Sequence, residues 1–279
     1  MNAYDLLTDL RDMLGESTAS HWSDREILRT INRIQKRIYM RMSMTMGDWF
    51  VKKSSSLTPS AGVISIPSDC AKPIYLEEVS SGVEIPITLS VRDRATTKSY
   101  PLGGVYADPA AYVVMDEIHI NDSSYVTPVY LWYDKKCIDL HAGTAATGST
   151  GSSLIIADGY GHSQIDDYYN NLYVEIVSGT GVGNKARITD YVASSRALTV
   201  ETTVSTDTVY GMVSLLPDEA YDAWFSRAYV SLLCKAAGVV DEEFIRSAQY
   251  EARAAEESFK DWAHRRIKNN IYLRLREGY

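Results

Sequence analysis

Apolar residues recur at helical spacing near both ends of this chain and alternate in short runs between them. Residues 3–14 read as a short amphipathic helix ended by Gly15. A second helix opens on a capping box of Ser23 and Glu26, with Trp22 before it as a hydrophobic staple. Ile27, Ile31, Ile34, Ile38 and Met42 give this helix one apolar face. From residue 49 the period falls to two, and runs at 49–51, 63–66, 74–79, 83–89, 112–115, 118–120 and 129–133, broken by Pro and Gly, predict an antiparallel sheet. Residues 90–97 add one or two helical turns. Residues 141–153 are rich in Gly, Ser, Thr and Ala and read as a flexible link. Runs at 154–157, 172–177, 185–190, 197–202 and 209–215 then predict a small barrel or sandwich. Helical spacing returns after Pro217, with Tyr221, Trp224, Phe225, Ala228 and Leu232 on one face and Gly238 as the stop. It returns again after the cap Asp241, with Phe244, Ala248, Ala252, Ala255, Phe259 and Trp262 on one stripe.

The order of elements predicts an α+β protein. Neither helix pair buries its stripe alone, so the N- and C-terminal pairs are expected to meet in one bundle. Removing residues 142–214 in thought joins the first sheet region directly to Leu-Leu-Pro-Asp-Glu, so the second sheet reads as an insertion. The expected division is a helix pair at 1–47, an antiparallel β region at 48–140, an inserted β domain at 141–215, a second helix pair at 216–264 and an arm at 265–279.

Charge adds the arm's character. Residues 241–261 carry seven acids against three bases, whereas residues 265–279 carry five bases against one acid. In that last stretch Ile271, Leu273 and Leu275 alternate with Tyr272, Arg274 and Arg276, which predicts an extended basic strand whose apolar side must dock on something else. The whole chain has a net charge of −8, which argues against a general nucleic-acid binder and makes any positive patch local. One such patch is Arg25, Arg29, Arg33, Lys36 and Arg37, on the side of the second helix opposite its apolar face. It reads either as a solvated face or as a surface that meets DNA or an acidic partner.

Other signals exclude more than they assign. Cys70, Cys137 and Cys234 are odd in number and far apart, which supports neither a disulfide framework nor a cysteine-rich zinc site and fits a reducing compartment. Met-Asn-Ala-Tyr-Asp places an acid where a signal peptide has bases, and no apolar run approaches membrane-spanning length, so no membrane partner is expected. Twenty tyrosines against four phenylalanines suit half-buried positions with a polar tip, as at interfaces. Gly143-Thr-Ala-Ala-Thr-Gly148 has P-loop spacing but lacks the lysine and the following helix, and the glycines at 179, 181 and 183 read as a hairpin. Asp158, His162, Asp166 and Asp167 lack a recognised ligand spacing, so no metal or cofactor is expected. No catalytic set stands out, and an enzyme is not expected. Tyr160, Tyr168, Tyr169 and Tyr173 could stack on sugars or simply pack a small sheet.

The run from Trp22 to Tyr39, followed by Trp49-Phe50 and a sheet, resembles the start of head-to-tail adaptor (connector) proteins of tailed bacteriophages. The helix opened by Leu216-Pro217-Asp218-Glu219, the alanine-rich last helix and the C-terminal arm are similar to that family too. The segment from Asp167 to Tyr191 resembles a β module that recurs in phage structural proteins. The resemblance implies a homo-oligomeric ring, usually of twelve copies, fixed beneath the portal protein of the filled head. Such a ring continues the DNA channel toward tail or nozzle proteins, is assembled in the host cytoplasm and is carried in the neck of the virion. It places portal binding on Arg265, Arg266, Lys268, Ile271, Tyr272, Leu273, Arg274, Leu275, Arg276 and Tyr279. The five cations of the second helix are then candidates for lining the DNA channel. The inserted sheet departs from minimal adaptors, and a tail or surface module that binds host glycan through it is the alternative.

Overall fold

A computed structural model describes residues 1–16, 22–45, 49–88, 110–156, 161–235 and 241–276. The expected helical turns at 90–97, together with Asp158, Tyr160, Gly238 and Tyr279, lie outside the described residues. Helices α1 (Ala3–Met13), α2 (Asp24–Thr45), α3 (Tyr221–Lys235) and α4 (Glu242–Arg276) are joined by two sheets, giving the α+β architecture. The chain divides into two compact units, Met1–Met46 with Cys137–Tyr279, and Gly47–Lys136.

The unit formed by Gly47–Lys136 is a seven-stranded sheet of β1 (Val51–Lys53), β2 (Val63–Ser65), β3 (Cys70–Glu78), β4 (Glu84–Thr88), β5 (Ala111–Val114), β6 (Glu117–Ile120) and β7 (Val129–Lys135), in the order β1-β7-β3-β4-β5-β6-β2. Its pairs are antiparallel except β4 with β5, which run parallel and so depart from the all-antiparallel expectation. One side of β7 buries Val129, Leu131 and Tyr133 against Leu76, Ile85 and Ile118. On the other side Lys53, Trp132, Tyr75 and Pro86 stand in register across four strands. The Tyr75 and Trp132 rings stack at 5.7 Å, and Lys53 lies 4.0 Å from the Tyr130 ring centroid and 2.8 Å from Glu77. This cross-strand ladder is what carries an open sheet face into water.

The other unit combines the four helices with a six-stranded sheet of β8 (Ala142–Thr144), β9 (Thr150–Ile155), β10 (Tyr173–Ser178), β11 (Lys185–Val192), β12 (Ala197–Ser205) and β13 (Val209–Met212), in the order β8-β13-β10-β11-β12-β9. The glycine- and serine-rich stretch is therefore not a free linker. Its residues form edge strand β8 on β13 and the start of edge strand β9, where Gly151 and Thr150 pair with Val204 and Ser205. Backbone ladders need no side chain, so composition alone reads such edges as loops. The stretch with P-loop spacing leads into β9, not a helix, and the glycine run at 179–183 joins β10 to β11. A Cβ on Gly179, which has φ +79°, would sit 2.1 Å from the Asp207 carbonyl oxygen, so only glycine fits there.

Helix packing explains the caps. Ser23 Oγ accepts from the Glu26 amide at 3.3 Å while Glu26 accepts from the Ser23 amide at 3.3 Å, completing the capping box of α2. Asn2 caps α1 by accepting from the amides of Tyr4 and Asp5, and its amide donates to Glu175 on β10 at 3.0 Å, fixing the helix start to the sheet. Trp224, fully buried on α3, donates from its indole to the Ile31 carbonyl at 2.9 Å, so helices from the two ends of the chain share one core. Pro217 and a 3-10 turn, Asp218–Ala220, lead into α3.

The C-terminal stretch departs from expectation. Among the described residues no extended arm forms: α4 continues to Arg276. Once nucleated, a helix extends at the cost of one residue per added hydrogen bond, whereas a lone strand has no ladder to join. No Gly or Pro falls between Glu242 and Arg276, and the first glycine is Gly278. In a helix, positions 271, 273 and 275 do not share one side.

Candidate nucleic-acid interface

The cations expected on one side of α2 come together. Arg25, Arg29, Arg33, Lys36 and Arg37 are all exposed and line a groove of about 450 Å³, closed on its far side by Asp139, Leu140, Gly161 and Tyr169. The row follows from four-residue steps on a helix whose opposite face is occupied by Ile27, Ile31 and Ile38 in the core. Arg25 to Arg37 spans about 18 Å at the α-helical rise, enough to face several phosphates spaced about 3.4 Å apart along one DNA strand.

The five are not equivalent. Lys36 pairs with Asp139 at 2.7 Å; burial disfavours its charge, but the hydrogen bond and charge of Asp139 hold it above its ordinary value. Arg33 donates to Ser231 Oγ on α3. Arg25, Arg29 and Arg37 have no carboxylate partner among the described residues, so they are the cations open to an anion.

The far wall is held by hydrogen bonds that sequence reasoning missed. Asn32 donates to the Leu140 carbonyl at 2.9 Å and accepts from the Leu140 amide at 2.7 Å, as a strand neighbour would. Gln35 donates to the Ile138 carbonyl at 3.3 Å. With Lys36 these side chains fix residues 138–140 along α2. Asn32 and Gln35 are the two amide side chains of α2, but nothing in the sequence names partners about a hundred positions away.

The remaining candidates separate. Arg265 is exposed on α4, and Arg266, Lys268, Ile271, Tyr272, Leu273, Arg274, Leu275 and Arg276 continue that helix. The tyrosines do not form one stacking surface. Tyr169 is buried against Tyr191, edge to face at 4.7 Å, and accepts from the Ser163 amide; Tyr168 accepts from the Asp139 amide at 3.3 Å; Tyr173 is exposed on β10, beside Lys185. Asp166 accepts from the Ala193 amide at 2.8 Å and Asp167 from Asn170 at 2.7 Å, so both cap local backbone or loop groups. Burial pushes the thiols of Cys70 and Cys137 up to about 12, which keeps both protonated and unreactive at neutral pH. No helix of the described residues is long and apolar enough to cross a membrane.

A second charged cluster joins three helices. Glu256 on α4 accepts from Arg227 on α3 at 2.9 Å and from Arg41 on α2 at 3.1 Å. Burial raises its proton affinity, but the hydrogen bonds and charges of the two guanidinium groups more than offset this and hold Glu256 below the usual carboxylate range.

No curated protein matches this chain. The model of one family, described as SU10 adaptor protein, matches residues 1–268 of the 279. The match takes in all four helix starts, both sheets and the basic row of α2, and it ends within α4. The chain belongs to the SU10 adaptor protein family, whose members are structural phage adaptors, components of the virion and not enzymes.

Proposed function

We propose that the protein is the head-to-tail adaptor of a tailed phage: a ring of copies, twelve by the family resemblance, seated beneath the portal and continuing the DNA channel toward tail or nozzle proteins. The observation that carries this reading is the family match over residues 1–268. The basic groove supports it from the chemistry. A chain of net charge −8 that still concentrates open arginines on one rigid helix face suits passing DNA, held through phosphates without base reading. The C-terminal part of α4, from Arg265 onward, is the portal-docking element, supplying cations on a helix instead of on an extended arm.

Cosedimentation with purified portal tests this. The full chain is expected to travel with portal in multiple copies, and a chain ending at Ala263 is expected to remain free. Equal binding by both would remove portal docking from the end of α4, and no binding by the full chain would remove the adaptor position itself.

A further inference from the structure

The two ends of α4 differ in a complementary way. At its start the cap Asp241 is followed by Glu242, Glu243 and Phe244, all exposed, with Phe244 half in solvent at 50%. Towards its other end lies an apolar groove of about 260 Å³, floored by Ile38, Met42, Ala223, Phe259 and Ala263. A cavity of about 150 Å³ lined by aliphatic and aromatic groups is enough to take a benzene ring, so this groove has room for a phenyl side chain. Its rim is basic and soft. Lys260 and His264 stand beside it, Met44 is 81% exposed, and the groove's carboxylate, Glu256, is already shared by Arg41 and Arg227.

From Phe244 to Phe259 is fifteen residues, or roughly 22 Å along a continuous helix. Phe244 therefore cannot reach the groove of its own chain. We propose that the acidic tip of α4 in one copy, residues 241–244, seats Phe244 in the basic-rimmed groove of a second copy. Carboxylates then face Lys260 and Arg41, and an exposed aromatic leaves water for an apolar pocket. Because knob and groove are different patches, the contact is heterologous and repeats from copy to copy, the type that closes into rings. The proposal rests on the adaptor reading only for the expectation that the repeat closes.

Cysteine cross-linking of the full chain tests it, in a Cys234→Ser background that removes the exposed native thiol. Glu242→Cys, which lies in the same exposed tip and keeps the Phe244 ring, combined with Met44→Cys in one chain is expected to give a covalent ladder on oxidation. The two single variants mixed together are expected to stop at dimers. No ladder above background, or dimers formed by either single variant alone as readily as by the mixture, overturns the proposal. As a second measurement on exposed residues, Lys260→Glu and Glu243→Lys should each lower the multimer yield of the cross-linking pair by about tenfold. Combined in one chain they should restore it, since like charges then no longer meet. Failure of the ladder with intact portal binding would discard this interface alone, and a ladder without portal binding would discard the adaptor position alone.

Discussion

Folding changes the chemistry of His141. It is buried beside Tyr210, whose hydroxyl meets Nδ1 at 2.8 Å with the rings stacked, and burial lowers its pKa to about 3. The folded protein thus binds this proton less readily than the unfolded chain. The contribution is complete above the ordinary value near 6.5 and is lost as pH falls toward 3, at up to about 1.4 kcal/mol per pH unit. Urea midpoints measured at pH 7 and pH 5 should fall by an amount equivalent to about 2 kcal/mol in the wild type and by clearly less in His141→Gln; equal falls would assign the acid sensitivity elsewhere. Asn32 makes a different prediction. Asn32→Ala leaves the Leu140 amide and carbonyl without their partner and should cost about 1–3 kcal/mol in urea unfolding. Asn32→Asp keeps the acceptor but loses the donor and should fall between.

At the scale of elements, α2 is both a core helix and a charged surface, and its two faces can be tested apart. Arg25→Glu, Arg29→Glu and Arg37→Glu together touch no described carboxylate and should leave the melting temperature nearly unchanged. If the row faces DNA, the triple variant should flatten the slope of log K against log salt for duplex binding by about 2–3, near 0.9 for each phosphate no longer neutralised. An unchanged slope would make this row a merely solvated face. Element types are legible where the period is long: α1, α2 and the starts of α3 and α4 follow their caps and stripes. Edge strand β8 and the start of β9 are not, because their residues are chosen by the neighbouring ladder and not by their own propensity. The end of α4 misleads because a six-residue alternation has the period of a strand, although no breaker separates it from the helix that carries it.

At the scale of the molecule, the unit Gly47–Lys136 has a closed core of its own around Leu76, Ile85, Ile118, Leu131 and Tyr133. Residues 47–136 produced alone should therefore unfold in a single cooperative urea transition, and a broad, gradual loss of signal would mean that this core depends on the rest of the chain. The second sheet shares its unit with the helices through Asn2, Glu175 and the entry segment held by Asn32. A composition shift at residue 141 marks where strands begin again, but it carries no information on what they pack against. The sequence by itself determined the helix caps, the apolar stripes, the strand periods and the single basic face of α2, because each depends on neighbours within a few turns. Only the tertiary structure decided that Arg25, Arg29 and Arg37 stay open while Lys36 and Arg33 are engaged. It alone decided that Glu256 joins three helices, and that an exposed phenylalanine and a basic-rimmed groove lie on one helix too far apart to meet. Those outcomes depend on groups brought together from distant parts of the chain, which local pattern does not encode.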